Sequence, residues 1–341
     1  MAASMIWQVL GNPGNYVEPF AGSLAVLLAR PDEHAWWDRI ETVNDKDGFI
    51  CNLWRAIQHA PEAVATWADG PINENDLHAR HAWLVARKED LQERLEGDPT
   101  FYDAQIAGWW LWGICCWIGS GWCSGEGPWR VEEGKLTHLG NAGQGIHRQL
   151  THLGDAGQGI HRQLTHLGDA GRGIHRQRTH LGDAGQGQCA AWSAHLQEMM
   201  ACLQDRLRRV RVCSGDWSRV CGPSPTTHLG LTGICFDPPY RLEDREEGLY
   251  RVDDNVWAAV RTWCLAHGDD PLLRIVLCGY ANEQSQMPAS WTMVPWKARG
   301  GYGSQGQGRG RMNCAHETLY CSPHCLKPID ELPLFAEEPT P

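Results

Sequence analysis

The stretch Tyr16-Val17-Glu18-Pro19-Phe20-Ala21-Gly22-Ser23-Leu24-Ala25-Val26-Leu27-Leu28 decides the fold. Its first two residues read as a short apolar strand. Pro19 and Gly22 interrupt it as a tight loop, and a run of good helix formers continues to Arg30. Outward from it, Glu41-Thr42-Val43-Asn44-Asp45 reads as a second strand with a polar, acidic end, and helical spacing resumes over 48–57. Strands alternating with helices predict an α/β fold with a parallel sheet.

The same alternation returns late in the chain. Residues 231–236 form an apolar strand running into Asp237-Pro238-Pro239-Tyr240, followed by a helix over 256–265 and a buried strand over 272–278. Two closing strands are expected over 291–296 and 317–321. Between the halves lies an insert, about 68–208. It holds a helix over 73–95 stopped by Gly97-Asp98-Pro99, a tryptophan-rich run, and a helix over 190–211 that turns basic at Arg206, Arg208, Arg209 and Arg211. It also holds a 14-residue repeat, first seen as Thr137-His138-Leu139-Gly140-Asn141-Ala142-Gly143-Gln144-Gly145-Ile146-His147-Arg148-Gln149-Leu150, and again from Thr151, Thr165 and Thr179. Three glycines per unit predict loops, not stable helix. The expected organisation is a split domain (1–67 and 209–330), an insert (68–208) with repeats over 137–188, and a loose acidic tail (331–341).

Composition narrows the class. With 341 residues, 42% of them apolar, the chain can bury a real core. A net charge of −11 counts mildly against a polyanionic partner, although the position of the basic groups decides, not their sum. Met1 to Met5 lack a basic region and no long apolar run follows. No signal peptide is therefore expected, and the fourteen cysteines read as reduced, buried thiols of a cytoplasmic protein. Residues 106–123 hold no charge and are long enough to span a membrane. Gly108, Gly113, Gly119, Ser120 and Gly121 interrupt them, and tryptophans run through their middle, so a buried segment is expected instead. Cys314, His316, Cys321, His324 and Cys325 do not follow a standard zinc spacing, and no metal is expected.

Asp237-Pro238-Pro239-Tyr240 carries the chemistry. Following an apolar strand, it sits where α/β sheets place ligands. Two prolines remove two N–H donors and leave their carbonyls to accept. Asp237 accepts as well, and Tyr240 offers an aromatic face. An exocyclic amino group held by a carboxylate and a proline carbonyl, its ring stacked on tyrosine, has its nitrogen lone pair steered towards an electrophile. A base in duplex DNA must flip out to reach such a pocket. By itself the tetrapeptide also reads as a proline-stiffened turn.

Taken together, the motifs resemble those of the Dam-like DNA adenine N6-methyltransferases, phage-type members above all. Glu18-Pro19-Phe20-Ala21-Gly22 is similar to the family's cofactor loop, Asn44-Asp45 to its acidic second strand end, Gly215-Asp216-Trp217 to its Gly-Asp-aromatic motif, and Asp237-Pro238-Pro239-Tyr240 to its catalytic motif. The resemblance implies a Rossmann-like methyltransferase sheet, mostly parallel with an antiparallel C-terminal strand, and an inserted target-recognition region. It implies S-adenosylmethionine as cofactor and double-stranded DNA as partner, with no membrane and no obligate protein partner. Glu18, Phe20, Ala21, Gly22, Asp45, Asp216 and Trp217 would bind the cofactor; Asp237, Pro238, Pro239 and Tyr240 would act on the flipped adenine. Asp45 would accept from ribose hydroxyls, Asp216 from the cofactor's adenine amino group, and Trp217 would pack on that ring. Glu18 would meet the cofactor's charged end or cap a local turn. The chain departs from the pattern at Leu24, where the family carries glycine, and in lacking a Gly-Gly-Lys turn before Tyr16. Cytosine-N4 methylation, for which serine more often replaces the aspartate, and a non-catalytic DNA-binding relative are the alternatives.

Overall fold

A computed structural model describes residues 2–31, 39–117, 122–123, 129–132, 135–138, 188–239, 256–281, 287–296 and 317–327. Tyr240, the repeats from 139 to 187 (with Arg172 and Arg178), Cys314, His316 and the tail 331–341 lie outside the described residues.

The apolar stretches form β1 (Asn15–Glu18), β2 (Ile40–Asp45), β5 (Arg211–Ser214), β6 (Thr232–Phe236), β7 (Leu273–Tyr280), β8 (Thr292–Pro295) and β9 (Glu317–Cys321). They make one seven-stranded sheet in the order β5-β2-β1-β6-β7-β9-β8. β9 runs antiparallel to β7 and β8, and the other neighbours are parallel. The mostly parallel α/β sheet is the one that the alternation of strands and helices predicts, and the antiparallel late strand is the one that the resemblance implies. A separate hairpin pairs β3 (Trp129–Glu132) with β4 (Lys135–His138). From β1 the chain winds outward through β2 to β5, then crosses to β6 and winds the other way. β1 and β6 therefore flank the point of reversal, outside whose carboxyl ends open α/β sheets bind their ligands.

Period-two alternation sorts the strand side chains into two layers. Tyr16, Val43, Cys235, Val276, Cys278, Leu319 and Cys321 face the larger core. There they meet α1 (Ala2–Leu10), α3 (Gly48–His59), α4 (Pro61–Ala68), α7 (Ala104–Cys116) and α8 (Gln188–Leu207). Val17, Ile234, Phe236, Ile275, Leu277 and Tyr320 face the other side, with Val260 and Cys264 of α9 (Trp257–His267). Leu77 and Leu84 of α5 (Glu74–Val85) and Leu91 and Leu95 of α6 (Lys88–Gly97) join the larger core, so the helices between β2 and β5 share one apolar cluster with the sheet.

Several elements differ from the sequence expectation. The helix after the first loop is one turn long, α2 (Ala25–Leu28). Ala29 and Arg30 tighten into three-residue bonds to Val26 and Leu27, and Pro31 then disfavours further helix. The helix expected over 73–95 is two, because its halves bury against different partners: α5 packs on α7, α6 on α3. β5 begins where the preceding helix was expected to end, and α1 and the hairpin were not anticipated. The arginines from Arg206 to Arg211 go different ways. Arg206 turns inward to Glu41 and Arg208 pairs with Asp205 at 2.9 Å. Arg211 opens β5, at the edge of the sheet away from the point of reversal.

Glu41 holds a buried clamp. Its Oε1 accepts from Arg30 Nη1 at 3.0 Å and from Arg206 Nη2 at 3.0 Å, and its Oε2 accepts from Arg206 Nη1 at 2.7 Å. Arg30 also donates to Asn12 Oδ1 at 2.8 Å and to the Pro13 carbonyl. Burial lowers the Arg30 guanidinium pKa, and Glu41 opposes that shift. The clamp ties the end of α8 to β2, and Arg206 Nη2 also donates to Leu27 of α2 at 2.9 Å.

α7 is thirteen residues long, about 20 Å, and nine of its residues are buried. Among the described residues no helix is long and apolar enough to cross a membrane. α7 meets α4 at Gly108, where an added Cβ would lie 2.3 Å from the Trp67 Cβ, 2.8 Å from the Val64 carbonyl oxygen and 2.9 Å from the Ala68 nitrogen. Backbone cannot step aside as a side-chain tip can. Gly108→Ala is therefore expected to lower stability by about 1–3 kcal/mol, read as a fall in the urea midpoint at constant slope; an unchanged midpoint would refute this close crossing. Of the twelve cysteines whose side chains are described, nine are buried and all are free thiols.

Candidate functional site

Four loops meet at the carboxyl ends of β1, β2, β5 and β6, and Asn44 joins three of them. Buried at the end of β2, its Nδ2 donates to the Pro19 carbonyl at 3.1 Å and to the Gly215 carbonyl at 3.0 Å. Its own carbonyl accepts from Ala21 N at 2.8 Å. Next to it, Asp45 Oδ2 accepts from Gly22 N at 2.9 Å and Oδ1 from Asp47 N at 2.8 Å. Asp47, not Asp45, caps α3, accepting from Phe49 N at 2.8 Å. Asp45 thus braces the glycine loop from below.

Within that loop Gly22 has φ +44°, and no atom lies within 4 Å of where its Cβ would be. Its carbonyl accepts from Trp54 Nε1 at 3.0 Å. Leu24, where the resembling family has glycine, also takes the left-handed backbone, at φ +56°. This costs a branched residue about 1–2 kcal/mol. The Leu24 side chain is fully buried, and a buried leucine contributes more than that strain takes away.

Three aromatic rings gather above these loops. Phe20 and Trp217 lie nearly parallel, 6.4 Å apart at 26°, and Phe236 stands 5.9 Å from Trp217 at 80° and 6.5 Å from Phe20. Phe20 and Trp217 are only partly buried. The result is an aromatic wall at the ends of β1, β5 and β6, with an open glycine loop beside it. Asp216 stands exposed next to Trp217, capping a single 3₁₀ turn. The Ser218 hydroxyl (2.5 Å) and backbone N–H (3.0 Å) donate to it and hold its carboxyl below the usual carboxylate range. It is an ionised acceptor.

Two further carboxyls stand at the ends of β1 and β6. Glu18 is 5% exposed, and its Oε2 accepts from the Tyr16 hydroxyl at 3.1 Å and from Leu27 N at 3.2 Å. It therefore does bind a local backbone group, in α2. Burial pushes its carboxyl up to about 8, against those two hydrogen bonds, with added push from Asp237 and Glu41. Asp237 follows β6 directly. Protein walls one side of it and raises its carboxyl to about 6; its other side is open, which tempers that shift. Pro238 is buried and Pro239 half-buried.

Glu18 yields a test in stability. Below its unfolded value of 4.5 both states hold the proton. As pH rises from there to about 8 the unfolded chain releases the proton and the folded chain retains it, so folding stability falls across that window. Glu18→Gln keeps an oxygen acceptor and removes this slope. Urea titrations of the two proteins are expected to converge at the acid end and separate in favour of the variant towards pH 8, by on the order of a few kcal/mol; parallel curves would contradict it.

The structure brings together Glu18, Phe20, Ala21, Gly22, Asp45, Asp216, Trp217, Asp237, Pro238 and Pro239 at one edge of the sheet. Sequence reasoning gave Asn44 no role of its own. It also missed Glu317, half-buried at the start of β9, whose carboxyl burial and Asp237 raise to about 7. Nothing local in the sequence marks Glu317, since only the antiparallel return of β9 carries it to this edge. Among the described residues no group of three histidine, cysteine or acidic side chains is placed to hold a metal ion. Cys325 donates to the Ile275 carbonyl at 3.4 Å, and His324 Nε2 lies 3.0 Å from the Asp269 carbonyl. No protein-family model matches the chain, and no curated protein matches it.

Proposed function

We propose that this chain is a site-specific DNA methyltransferase that transfers a methyl group from S-adenosylmethionine to N6 of adenine in double-stranded DNA. The observation that carries the reading is that Asp237-Pro238-Pro239 leaves β6 at the winding reversal, beside the loop Glu18–Gly22 that leaves β1. An acceptor for an amino group and a glycine loop thus lie at adjacent strand ends.

The residues fit the cofactor. An adenine ring suits the aromatic wall of Phe20 and Trp217, with Asp216 an ionised acceptor for its amino group. Ribose hydroxyls suit Asp45, and the open space over Gly22 admits close backbone approach. Glu18 holds its proton up to about pH 8 in the empty protein, and a cationic end beside it would draw the carboxyl into its ionised form. When bound, the cofactor supplies a methyl group on a positively charged sulfur. The protein's own part is alignment and polarity. Asp237 and the Pro238 carbonyl accept the two N–H bonds of the adenine amino group and turn its lone pair outward, and Tyr240 stacks on the flipped base.

Asp237 accepts more strongly when ionised. Its carboxyl is raised to about 6, so the methylation rate is expected to rise with pH through about 6 and then level. Single-turnover rates from acid to neutral pH check this; a rate flat across that range would contradict it. Calorimetry tests the cofactor half separately: heat of S-adenosylmethionine binding is expected, weakened by Trp217→Ala. No binding, with DNA binding intact, would leave the non-catalytic alternative.

A further inference from the structure

We propose that Glu317 belongs to the acceptor side of this site and takes the proton that the acceptor amine sheds when it is methylated. The proposal rests on the methyltransferase reading above. Its ground is strand register. Tyr16, Cys235, Cys278 and Leu319 all face the larger core. Period-two alternation then turns Glu18, Asp237, Tyr280 and Glu317, each two residues nearer the carboxyl edge, to that same face. The pairing of Val17 with Ile234, of Phe236 with Leu277 and of Tyr280 with Glu317 sets them on a rising diagonal: Glu18 level with Cys235, Asp237 two residues further out, level with Cys278, and Tyr280 and Glu317 two residues further again.

These residues are the polar outer end of a face whose middle is apolar. The groups facing Glu317 are Asp237 after β6, Cys278 and Tyr280 on β7, and Glu18 beyond them on β1. No described residue of β8 is charged, and Trp296, just past it, gives its N–H to the Glu317 carbonyl at 3.0 Å. The charge of Asp237 raises Glu317, and that of Glu317 adds to the rise at Cys278, so the three sense one another. Asp237 releases its proton at about 6 and Glu317 at about 7. With Asp237 ionised and engaged on the amine, Glu317 is the neighbouring base matched to neutral pH.

The balance is simple. The amine nitrogen forms a bond to the methyl carbon, and the carbon–sulfur electron pair stays on sulfur. The nitrogen, now cationic, loses one N–H proton to the Glu317 carboxylate, which later releases it to water.

Two readouts test this. The first needs neither cofactor nor DNA. Carbon-13 carboxyl NMR of glutamate-labelled protein, with Glu317 assigned by its loss in Glu317→Gln, is expected to show a midpoint near 7 that falls in Asp237→Asn. An unmoved midpoint overturns the coupling. The second is the pH profile of single-turnover methylation. Glu317→Gln is expected to slow the step about tenfold or more near neutrality. Glu317→Asp should keep the wild-type profile, and added formate should restore part of the rate to Glu317→Ala. A purely structural role gives no formate rescue. A Glu317→Gln rate equal to wild type at every pH, or absence of rescue, sinks this proposal alone. Absence of methylation by the wild-type protein sinks the functional reading and this proposal with it.

Discussion

Asp237→Ala is expected to lower methyl transfer by about 10²–10³-fold while leaving the fold intact. The two halves of this expectation have separate causes. Asp237 is open on one side, beyond the last residue of β6, so its removal exposes no core and stability should move by no more than about 0.5 kcal/mol. The rate falls because one of the two acceptors aligning the amino group is gone. Asp237→Asn keeps a carbonyl oxygen in place, so it should lose less than Ala, and its rate should no longer rise through pH 6. Rates from single-turnover assays, beside urea midpoints, separate the effects. A large fall in stability with a proportionate fall in rate would make Asp237 a structural residue.

Glu41→Ala is expected to cost about 3–5 kcal/mol of stability, the largest single effect on folding foreseen for the ion pairs of this chain. The Arg30 side chain has no exposed surface and Glu41 has 7%, so removing the carboxylate strands a buried guanidinium. Arg206, 21% exposed, can reach water and adds less. Glu41→Gln keeps an acceptor and should cost less than Ala. Because Arg206 also holds the Leu27 carbonyl of α2, the variant should also loosen the loop from Glu18 to Leu24 and weaken cofactor binding. Urea denaturation and calorimetry give the two numbers. A loss below about 1 kcal/mol would mean that water already reaches the clamp.

Much of the sheet was legible because its interior strands are apolar and each ends in a chemically distinctive residue. Glu18, Asp45 and Asp237 stand at or just past the ends of strands read from sequence. β5 was not legible: a four-residue edge strand, half-exposed and opening with Arg211, shows too little alternation to separate from the end of α8. The break between α5 and α6 was hidden because each half alone satisfies helical spacing, and only the packing on α7 and α3 distinguishes them. Within the site, single-position motifs were readable, whereas cross-loop contacts were not. Asn44 became visible as a brace only once Pro19 and Gly215 were seen to converge on it, and Glu317 only once β9 was paired with β7. The inward turn of Arg206 shows the same limit. A run of arginines reads only as the basic end of a helix until one of them is seen to find a buried carboxylate.

The most direct test of the central claim is methylation-sensitive sequencing of host DNA after expression of the chain in cells without their own adenine methylation, with Asp237→Ala expressed alongside. The expected result is N6-methyladenine at one recurrent sequence context with the wild-type chain and none with the variant. Equal N6-methyladenine in both, or none above the variant, would contradict it.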